Sequence, residues 1–183
     1  MLHETLTWLN PQPGQTIVDM TVGLAGHGRA IIRRIGPNGR YVGLEWDAET
    51  YALAQQALAD EPNVILVNES FVQLPEVLAA AGVERVDGVV LDAGVNLFQL
   101  TAPERSMAQD SEVGLDMRMD RRHGVPAEVL VNEASEAELR QILRTTLNER
   151  EARSIARAIV RARTQEAIRT TRRLSEVILS TLS

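Results

Sequence analysis

Short apolar segments alternate with segments of helical pattern between residues 15 and 92, and this alternation restricts the possible folds more than any other feature of the chain. The apolar segments lie at 16–22, 41–47, 63–68 and 86–92, and the helical patterns between them lie at 26–35, 48–60 and 74–82. Nearly continuous apolar strands separated by helices are typical of a parallel sheet covered on both faces. We therefore expect an α/β fold with a parallel sheet, of which about four strands are visible.

The alternation stops after residue 92. Residues 93–124 have no regular pattern, and a segment of this length within a compact domain is usually functional or mobile. From residue 125 onward the pattern is helical, with a capping box at Ser135 and Glu138, an amphipathic helix over 149–163 and a last helix over 171–182. The sequence therefore predicts a sheet domain over 1–124 and a helical subdomain over 125–183.

Three acidic residues fall at or near the carboxyl ends of predicted strands: Asp19, Glu45 and Asp92. The loop 23–28, which follows the first strand, contains three glycines and leads into a helix. Glycines allow the backbone to approach a ligand closely, and a helix N-terminus adds free N–H groups. Because ligands of open parallel sheets bind beyond the carboxyl ends of the strands, we expect a ligand site at this edge.

The order of residues in the loop helps to identify the ligand. The segment 23–28 reads GLAGHG, which differs from the G-x-G-x-x-G order of dinucleotide sites. Glu45 follows at the distance where an acid binds ribose hydroxyls, in NAD and S-adenosylmethionine sites alike. The charge of Asp19 would repel a pyrophosphate and attract a sulfonium and an amino group. Charge complementarity therefore favours S-adenosylmethionine, and NAD stays open at this point.

Composition excludes several other classes of protein. The chain has no cysteine, which excludes disulfides, zinc–cysteine sites and thiol catalysis, and with three histidines we expect no metal site. The apolar runs are only a few residues long and the N-terminus lacks a basic signal-peptide region. We therefore expect a cytoplasmic protein without a membrane partner.

The basic residues are distributed unevenly. All 19 are arginines, and ten of them lie between Arg140 and Arg173, although the net charge of the chain is −6. Two interpretations stay open: a solvated helical face, and a surface that binds an anionic partner.

Four motifs and one longer stretch resemble the MraW/RsmH family, bacterial methyltransferases that modify N4 of a cytidine in small-subunit ribosomal RNA. The motifs are DMTVGLAGH (19–27), LEWDAE (44–49), LDAGVNLFQL (91–100) and LDMRMD (115–120), and the helical stretch 132–163 is similar to the helical domain inserted in the family. The resemblance implies a Rossmann-like class I methyltransferase fold, S-adenosyl-L-methionine as the cofactor and ribosomal RNA as the methyl acceptor.

The resemblance also implies cofactor contacts by position. The loop 25–27 matches the loop that touches the methionine part, Glu45 matches the ribose-binding acid, and Phe71 matches an aromatic residue beside the adenine. Asp92 and Gln99 match further cofactor-site residues of the family. With the residues expected from their place in the strands and the loop, the predicted cofactor-binding set is Asp19, Gly23, Ala25, Gly26, His27, Glu45, Trp46, Phe71, Asp92 and Gln99.

Two residues are predicted to act in catalysis, Asp92 and Asn96. Methyl transfer is expected to be an in-line displacement in which the enzyme mainly aligns donor and acceptor. The exocyclic amine of cytosine is a poor nucleophile because its lone pair is delocalised into the ring. The Asp92 carboxylate could accept a hydrogen bond from this amine and stabilise its developing positive charge, and Asn96 could present its carbonyl oxygen.

The chain departs from the family pattern, and three of these departures bear on the acceptor and on the sheet. The serine pair after G-V is Asn96-Leu97, in a loop expected to line the acceptor pocket, and the aromatic R-G-F-S-F segment is replaced at 105–109 by a segment without aromatics. The late strands of the family have no counterpart here. The fourth strand would then be an exposed apolar edge, and we expect a homodimer or higher oligomer that covers it.

Two alternatives to a methyltransferase stay open. One is a non-catalytic module that binds S-adenosylmethionine or its demethylated product. The other is an RNA-binding adaptor that acts through the arginine-rich helices. Turnover would separate the first alternative from an enzyme, and salt-dependent RNA binding without a cofactor effect would identify the second.

Overall fold

The computed structural model describes residues 1–181 and divides into two compact units, one of residues 1–96 and one that begins at Leu97. The strands of the first unit are β1 (Thr16–Asp19), β2 (Arg40–Leu44), β3 (Val64–Val67) and β4 (Gly88–Val90). Its helices are α1 (Leu2–Leu9), α2 (Gly26–Ile35), α3 (Ala48–Ala57) and α4 (Leu74–Ala80), and a short 3₁₀ turn covers Phe71–Gln73.

The four strands form one parallel sheet in the order β3-β2-β1-β4. In the centre of the sheet, Val18 of β1 lies opposite Val42 of β2 and Val89 of β4. This arrangement confirms the α/β fold and the parallel sheet predicted from the sequence. The strands are shorter than the predicted apolar runs, because residues 20–22 and 45–47 leave the sheet at its carboxyl edge.

Helices cover both faces of the sheet. Side chains alternate along a strand, so Ile17 and Tyr41 enter one core while Val18 and Val42 enter the other. The first core contains apolar residues of α1, α2 and α3, and the second contains residues of α4. Because each strand contributes side chains to both cores, the residues on both of its faces are apolar.

Local signals set the helix ends. Helix α2 runs from Gly26 to Ile35, the bounds predicted from the sequence. The side chain of Asp47 caps α3 by accepting from the backbone N–H of Glu49 (3.1 Å) and the hydroxyl of Thr50 (2.9 Å). Helix α3 ends at Ala57, three residues before the predicted end.

The second unit contains five helices among the described residues. They are α5 (Leu97–Thr101), α6 (Ala127–Glu133), α7 (Glu136–Leu143), α8 (Glu149–Gln165) and α9 (Thr171–Leu179), and a 3₁₀ turn covers Pro103–Arg105. The capping box predicted at Ser135 and Glu138 starts α7, and a second box, Asn148 with Glu151, starts α8. Helix α9 ends at Leu179, three residues before the predicted end at residue 182, which itself lies outside the described residues.

The irregular segment 97–124 packs with the helices of the second unit. Leu115 is 2% exposed and belongs to the same core as Leu139, Ile155 and Val177. The structural boundary at residue 96 therefore precedes the boundary after residue 124 that the sequence suggests. The division into folding domains at 124 stays a prediction.

A network of arginines and aspartates fixes the segment around 116–122. Asp116 accepts from Arg118 at 2.7 and 3.0 Å, and Asp120 accepts from Arg122 at 2.8 Å. The side chain of Arg105, 1% exposed, donates to the backbone carbonyl of Met119 at 2.7 Å. Charged groups can be buried here because each one has an oppositely charged or carbonyl partner.

No helix among residues 1–181 combines the length and the apolar character that crossing a bilayer requires.

Candidate ligand-binding site

The loop between β1 and α2 presents its backbone at the carboxyl edge of the sheet. Gly23 and Ala25 both adopt the left-handed conformation, with φ of 56° and 62°. A Cβ atom at Gly23 or Gly26 would meet no heavy atom within 4 Å. The space next to the backbone at these two positions is therefore available to a ligand, as the loop sequence predicts.

Gly28 has a different role. A Cβ atom at this position would lie 2.6 Å from the Tyr41 hydroxyl oxygen, so this glycine lets α2 pack closely on β2. The expectation that all three loop glycines approach a ligand is therefore wrong for Gly28, which approaches a neighbouring side chain instead.

The carboxylate of Asp19 is buried beneath the loop. It accepts a hydrogen bond from the Tyr41 hydroxyl at 2.7 Å and one from the backbone N–H of Thr21 at 3.1 Å, and the residue is 1% exposed. Burial raises the pKa of Asp19, and His27 and Asp92 lie near enough to change it in opposite directions. Asp19 thus belongs to the same cluster as His27 and Asp92, but its carboxylate is directed toward the protein.

Glu45 connects the end of β2 to the glycine loop. One carboxylate oxygen accepts from the backbone N–H of Gly23 at 2.8 Å, and the other accepts from that of Asp47 at 2.9 Å. The residue is 8% exposed, and burial raises its pKa. Although each oxygen already accepts one hydrogen bond, a carboxylate oxygen can accept a second, so this group can still bind ligand hydroxyls.

Asn68, at the end of β3, fixes the backbone next to Glu45. Its side-chain amide donates to the carbonyl oxygens of Glu45 at 2.7 Å and Trp46 at 3.1 Å. The side chains of Trp46 and Phe71 are 42% and 40% exposed beyond the ends of β2 and β3. The predicted aromatic residues therefore follow adjacent strands at the carboxyl edge, partly open to solvent.

Asp92 lies at the same edge, just after β4. Its backbone N–H donates to the Thr21 hydroxyl at 2.8 Å, and its carboxylate, 49% exposed, lies 3.6 Å from Nδ1 of His27. The other ring nitrogen of His27 lies 3.5 Å from the hydroxyl of Thr5 in α1. The structure thus brings Asp92 beside the glycine loop with its carboxylate accessible.

Asn96 and Gln99 lie in other surroundings. The Asn96 amide donates to the Thr50 hydroxyl at 3.1 Å, which places it near the start of α3. Gln99 belongs to the second unit, where it is 1% exposed and donates to the sulfur of Met119 at 3.0 Å. Their proposed contacts with the acceptor and the cofactor stay predictions.

Sequence reasoning missed the residues that hold the site from behind: Thr21, Tyr41, Asp47 and Asn68. Asp47 had a local signal, since an aspartate before an apolar helical run is a usual N-cap. No local signal identifies Tyr41 or Asn68, because their contacts join separate strands and depend on how the sheet is assembled.

A glycine-rich loop after the central strand and an acid at the end of the neighbouring strand are the marks of the Rossmann-like α/β proteins that bind nucleotide-containing ligands. Residues 1–183 match the model of the MraW methylase family, and this chain belongs to that family. The membership favours the methyltransferase interpretation over the two alternatives considered from the sequence.

Proteins named ribosomal RNA small subunit methyltransferase H are similar to the chain. The one from Lachnospira eligens is 38% identical over 183 residues, which are 100% of this chain and 58% of the relative. Those from Syntrophotalea carbinolica and Symbiobacterium thermophilum are each 41% identical over 179 residues, 97% of this chain and 57% and 56% of the relatives. The chain thus spans less than three fifths of the length of these relatives.

Proposed function

We propose that this chain binds S-adenosyl-L-methionine and carries the methyl-donor site of a methyltransferase whose acceptor is ribosomal RNA. The observation that carries the proposal is the hydrogen bond between Glu45 and Gly23, which holds an acid against the glycine loop in a member of the MraW methylase family. The acceptor is inferred from the similar proteins named ribosomal RNA small subunit methyltransferase H.

The residues at the carboxyl edge fit this ligand. The Glu45 oxygens can accept the two ribose hydroxyls, and the exposed faces of Trp46 and Phe71 offer apolar surface to the adenine. The loop 23–27, with open space beside Gly23 and Gly26, would receive the methionine part. The buried charge of Asp19 favours the positive amino and sulfonium groups of the ligand over a pyrophosphate.

When bound, S-adenosylmethionine supplies an electrophilic methyl group on a positively charged sulfur. Asp92 would accept a hydrogen bond from the amine of the acceptor base and stabilise the positive charge that develops on that nitrogen. The hydrogen bond from the Asp92 backbone N–H to the Thr21 hydroxyl and the contact of the Asp92 carboxylate with His27 hold that carboxylate next to the loop. Asn96 would offer its carbonyl oxygen to the same amine, and Gln99 would contribute to the cofactor site.

Calorimetric titration with S-adenosylmethionine and S-adenosylhomocysteine tests the binding step. We expect micromolar binding to the wild-type chain and at least tenfold weaker binding to Glu45→Gln, because one acceptor oxygen and the charge are lost. Absence of binding to the folded wild-type chain would contradict the proposal. Transfer of a labelled methyl group to small-subunit ribosomal RNA, abolished in Asp92→Asn, tests the catalytic step.

We also propose that two copies of the chain associate with each other. Because the proposed acceptor is ribosomal RNA, we place the protein in the cytoplasm. Val89 and Leu91, at the β4 edge of the sheet, are 47% and 53% exposed, which supports pairing of this apolar edge with a second copy. Light scattering coupled to size-exclusion chromatography should give twice the mass of the chain. A monomer at all concentrations would contradict the association.

A further inference from the structure

We propose that an arginine stripe on α8, made of Arg150, Arg153, Arg157 and Arg161, binds the phosphate backbone of single-stranded RNA. This inference rests on the proposed function, because it takes the acceptor to be RNA, and it identifies the surface of the second unit that contacts it.

The stripe follows from the pattern of burial along α8. Ala152, Ile155 and Ile159 are at most 5% exposed and face the core of the second unit. The four stripe residues are exposed and lie at intervals of three or four, so they project from one side of the helix, opposite the core. Arg153, Arg157 and Arg161 are one turn apart, which separates neighbouring guanidinium groups along the axis by about 6 Å.

The stripe lines an open groove of about 920 Å³ between α7 and α8. The two acidic side chains that line it are Glu136, paired with Arg157 at 3.2 Å, and Glu149. Glu149 is shared by three arginines, Arg140, Arg144 and Arg153, at 3.0, 3.2 and 3.6 Å. Four arginines thus line the groove against two glutamates, an excess of two positive charges on a chain of net charge −6, and Arg140 and Arg144 add positive charge beside Glu149.

Within the stripe, Arg150 and Arg161 are expected to contribute most to phosphate binding. Within residues 1–181 the guanidinium group of neither residue makes an ion pair or a hydrogen bond. Surface arginines without a partner are available to an external anion, and the planar guanidinium group can donate two parallel hydrogen bonds to a phosphate. Their positions near the two ends of the stripe extend it along most of α8.

The chemistry of the groove favours RNA over a membrane or a peptide. Val160 is the one apolar side chain among its lining residues, whereas helices that bind at membrane surfaces carry large apolar side chains beside the basic ones. A groove without an apolar pocket also offers no anchor for a peptide side chain. A linear row of cations on a straight helix matches a linear polyanion.

The test compares two variants that each lose two positive charges. In Arg150→Gln/Arg161→Gln the stripe is weakened without breaking any ion pair of the described chain. In the control, Arg33→Gln/Arg85→Gln, two exposed arginines of the first unit that also lack a partner within residues 1–181 are replaced. Circular dichroism melts verify that both variants fold.

The probe is a fluorescein-labelled single-stranded RNA of twenty nucleotides, followed by anisotropy at several salt concentrations. We expect the stripe variant to bind about five- to tenfold more weakly and its plot of log affinity against log salt to be shallower by about 1.4, that is, about 0.7 per lost phosphate contact. The control variant should retain the wild-type affinity and slope.

Equal effects in the two variants, or no RNA binding by the wild-type chain, would overturn the proposal. Binding to vesicles of anionic lipid that is lost in the stripe variant, without RNA binding, would assign the stripe to a membrane instead. Calorimetry with S-adenosylmethionine on the same samples separates the two proposals, because cofactor binding depends on the first unit and should be equal in all three proteins.

Discussion

The hydroxyl of Tyr41 donates a 2.7 Å hydrogen bond to the carboxylate of Asp19, and both side chains are at most 1% exposed. The two residues lie on adjacent strands, β2 and β1. Tyr41 therefore satisfies a buried acid directly below the glycine loop, while its ring contributes to the apolar core. Burial raises the pKa of Asp19, and the hydrogen bond from Tyr41 opposes that rise.

Replacing Tyr41 with Phe should lower the free energy of unfolding by about 1–3 kcal/mol, because a buried carboxylate oxygen loses its partner. Urea unfolding measures this change. Tyr51→Phe is the matched control, since its hydroxyl makes only a long, 3.5 Å contact with the Leu66 carbonyl and its loss should cost less than about 1 kcal/mol. Equal losses in the two variants would contradict the role assigned to Tyr41.

Gly28→Ala should destabilise the chain by about 1–3 kcal/mol, because the new methyl group would overlap the Tyr41 hydroxyl. Gly26→Ala is its counterpart in the same loop, where a Cβ meets nothing within 4 Å. The Gly26 variant should keep its stability and lose affinity for S-adenosylmethionine. Thermal melts and calorimetry on both variants check this separation, which would fail if Gly28→Ala melted like the wild type.

Asn68→Ala should weaken S-adenosylmethionine binding, because the turn that carries Glu45 and Trp46 loses two hydrogen bonds. Asn63→Ala controls for stability alone. Asn63 also donates to two backbone carbonyls, those of Gly36 and Gly39 at 2.9 and 3.0 Å, but it precedes β3 at the opposite edge of the sheet. Both variants should unfold at lower urea concentration, and only Asn68→Ala should show a raised calorimetric Kd.

The contribution of Glu45 to the stability of the chain should decrease as the pH rises, which is the reverse of the usual behaviour of a carboxylate. Burial raises the pKa of Glu45 above that of the unfolded chain, about 4.3. The folded state then holds the proton more tightly, so the contribution of this group is present below pH 4 and is lost as the pH rises through the folded pKa. Stability measured by urea unfolding should therefore fall less steeply with rising pH in Glu45→Gln than in the wild type.

Asp116 should show the opposite dependence. The hydrogen bonds from Arg118 lower the pKa of Asp116 below its ordinary value of 3.8. Its contribution to stability is therefore present above about pH 4 and is lost as the pH falls through the folded pKa. Asp116→Asn should be less stable than the wild type at pH 7, and the difference should shrink on acidification. A difference that is constant with pH would contradict this assignment.

Much of the first unit can be predicted from local pattern. Helix α2 begins at Gly26 and ends at Ile35 as expected, because a glycine-rich loop precedes it and Gly36 stops it. The strand positions follow from the apolar runs, since a parallel sheet covered on both faces requires apolar residues on both sides of each strand. The same pattern places Glu45 at the carboxyl end of the second strand, and the observed strand ends at Leu44, directly before it.

The contacts that hold the candidate site could not be predicted in this way. The carboxylate of Asp19 contacts Tyr41, which is 22 residues away in sequence, and no local pattern predicts this contact. Whether an acid at a strand end points outward or toward a neighbouring strand depends on the packing of the assembled sheet. The short helix Leu97–Thr101 was also missed, because five residues are too few to show helical periodicity.

The strand order has a consequence for how the chain is made. The central strand β1 is synthesised first, but its partner on one side, β4, follows about seventy residues later, as the bond between Thr16 and Asp87 across 71 positions shows. At about 5–20 residues per second, a ribosome needs roughly 4–14 s to cover that interval. During those seconds one side of β1 has no neighbour, and the nascent chain is open to chaperones and to mispairing.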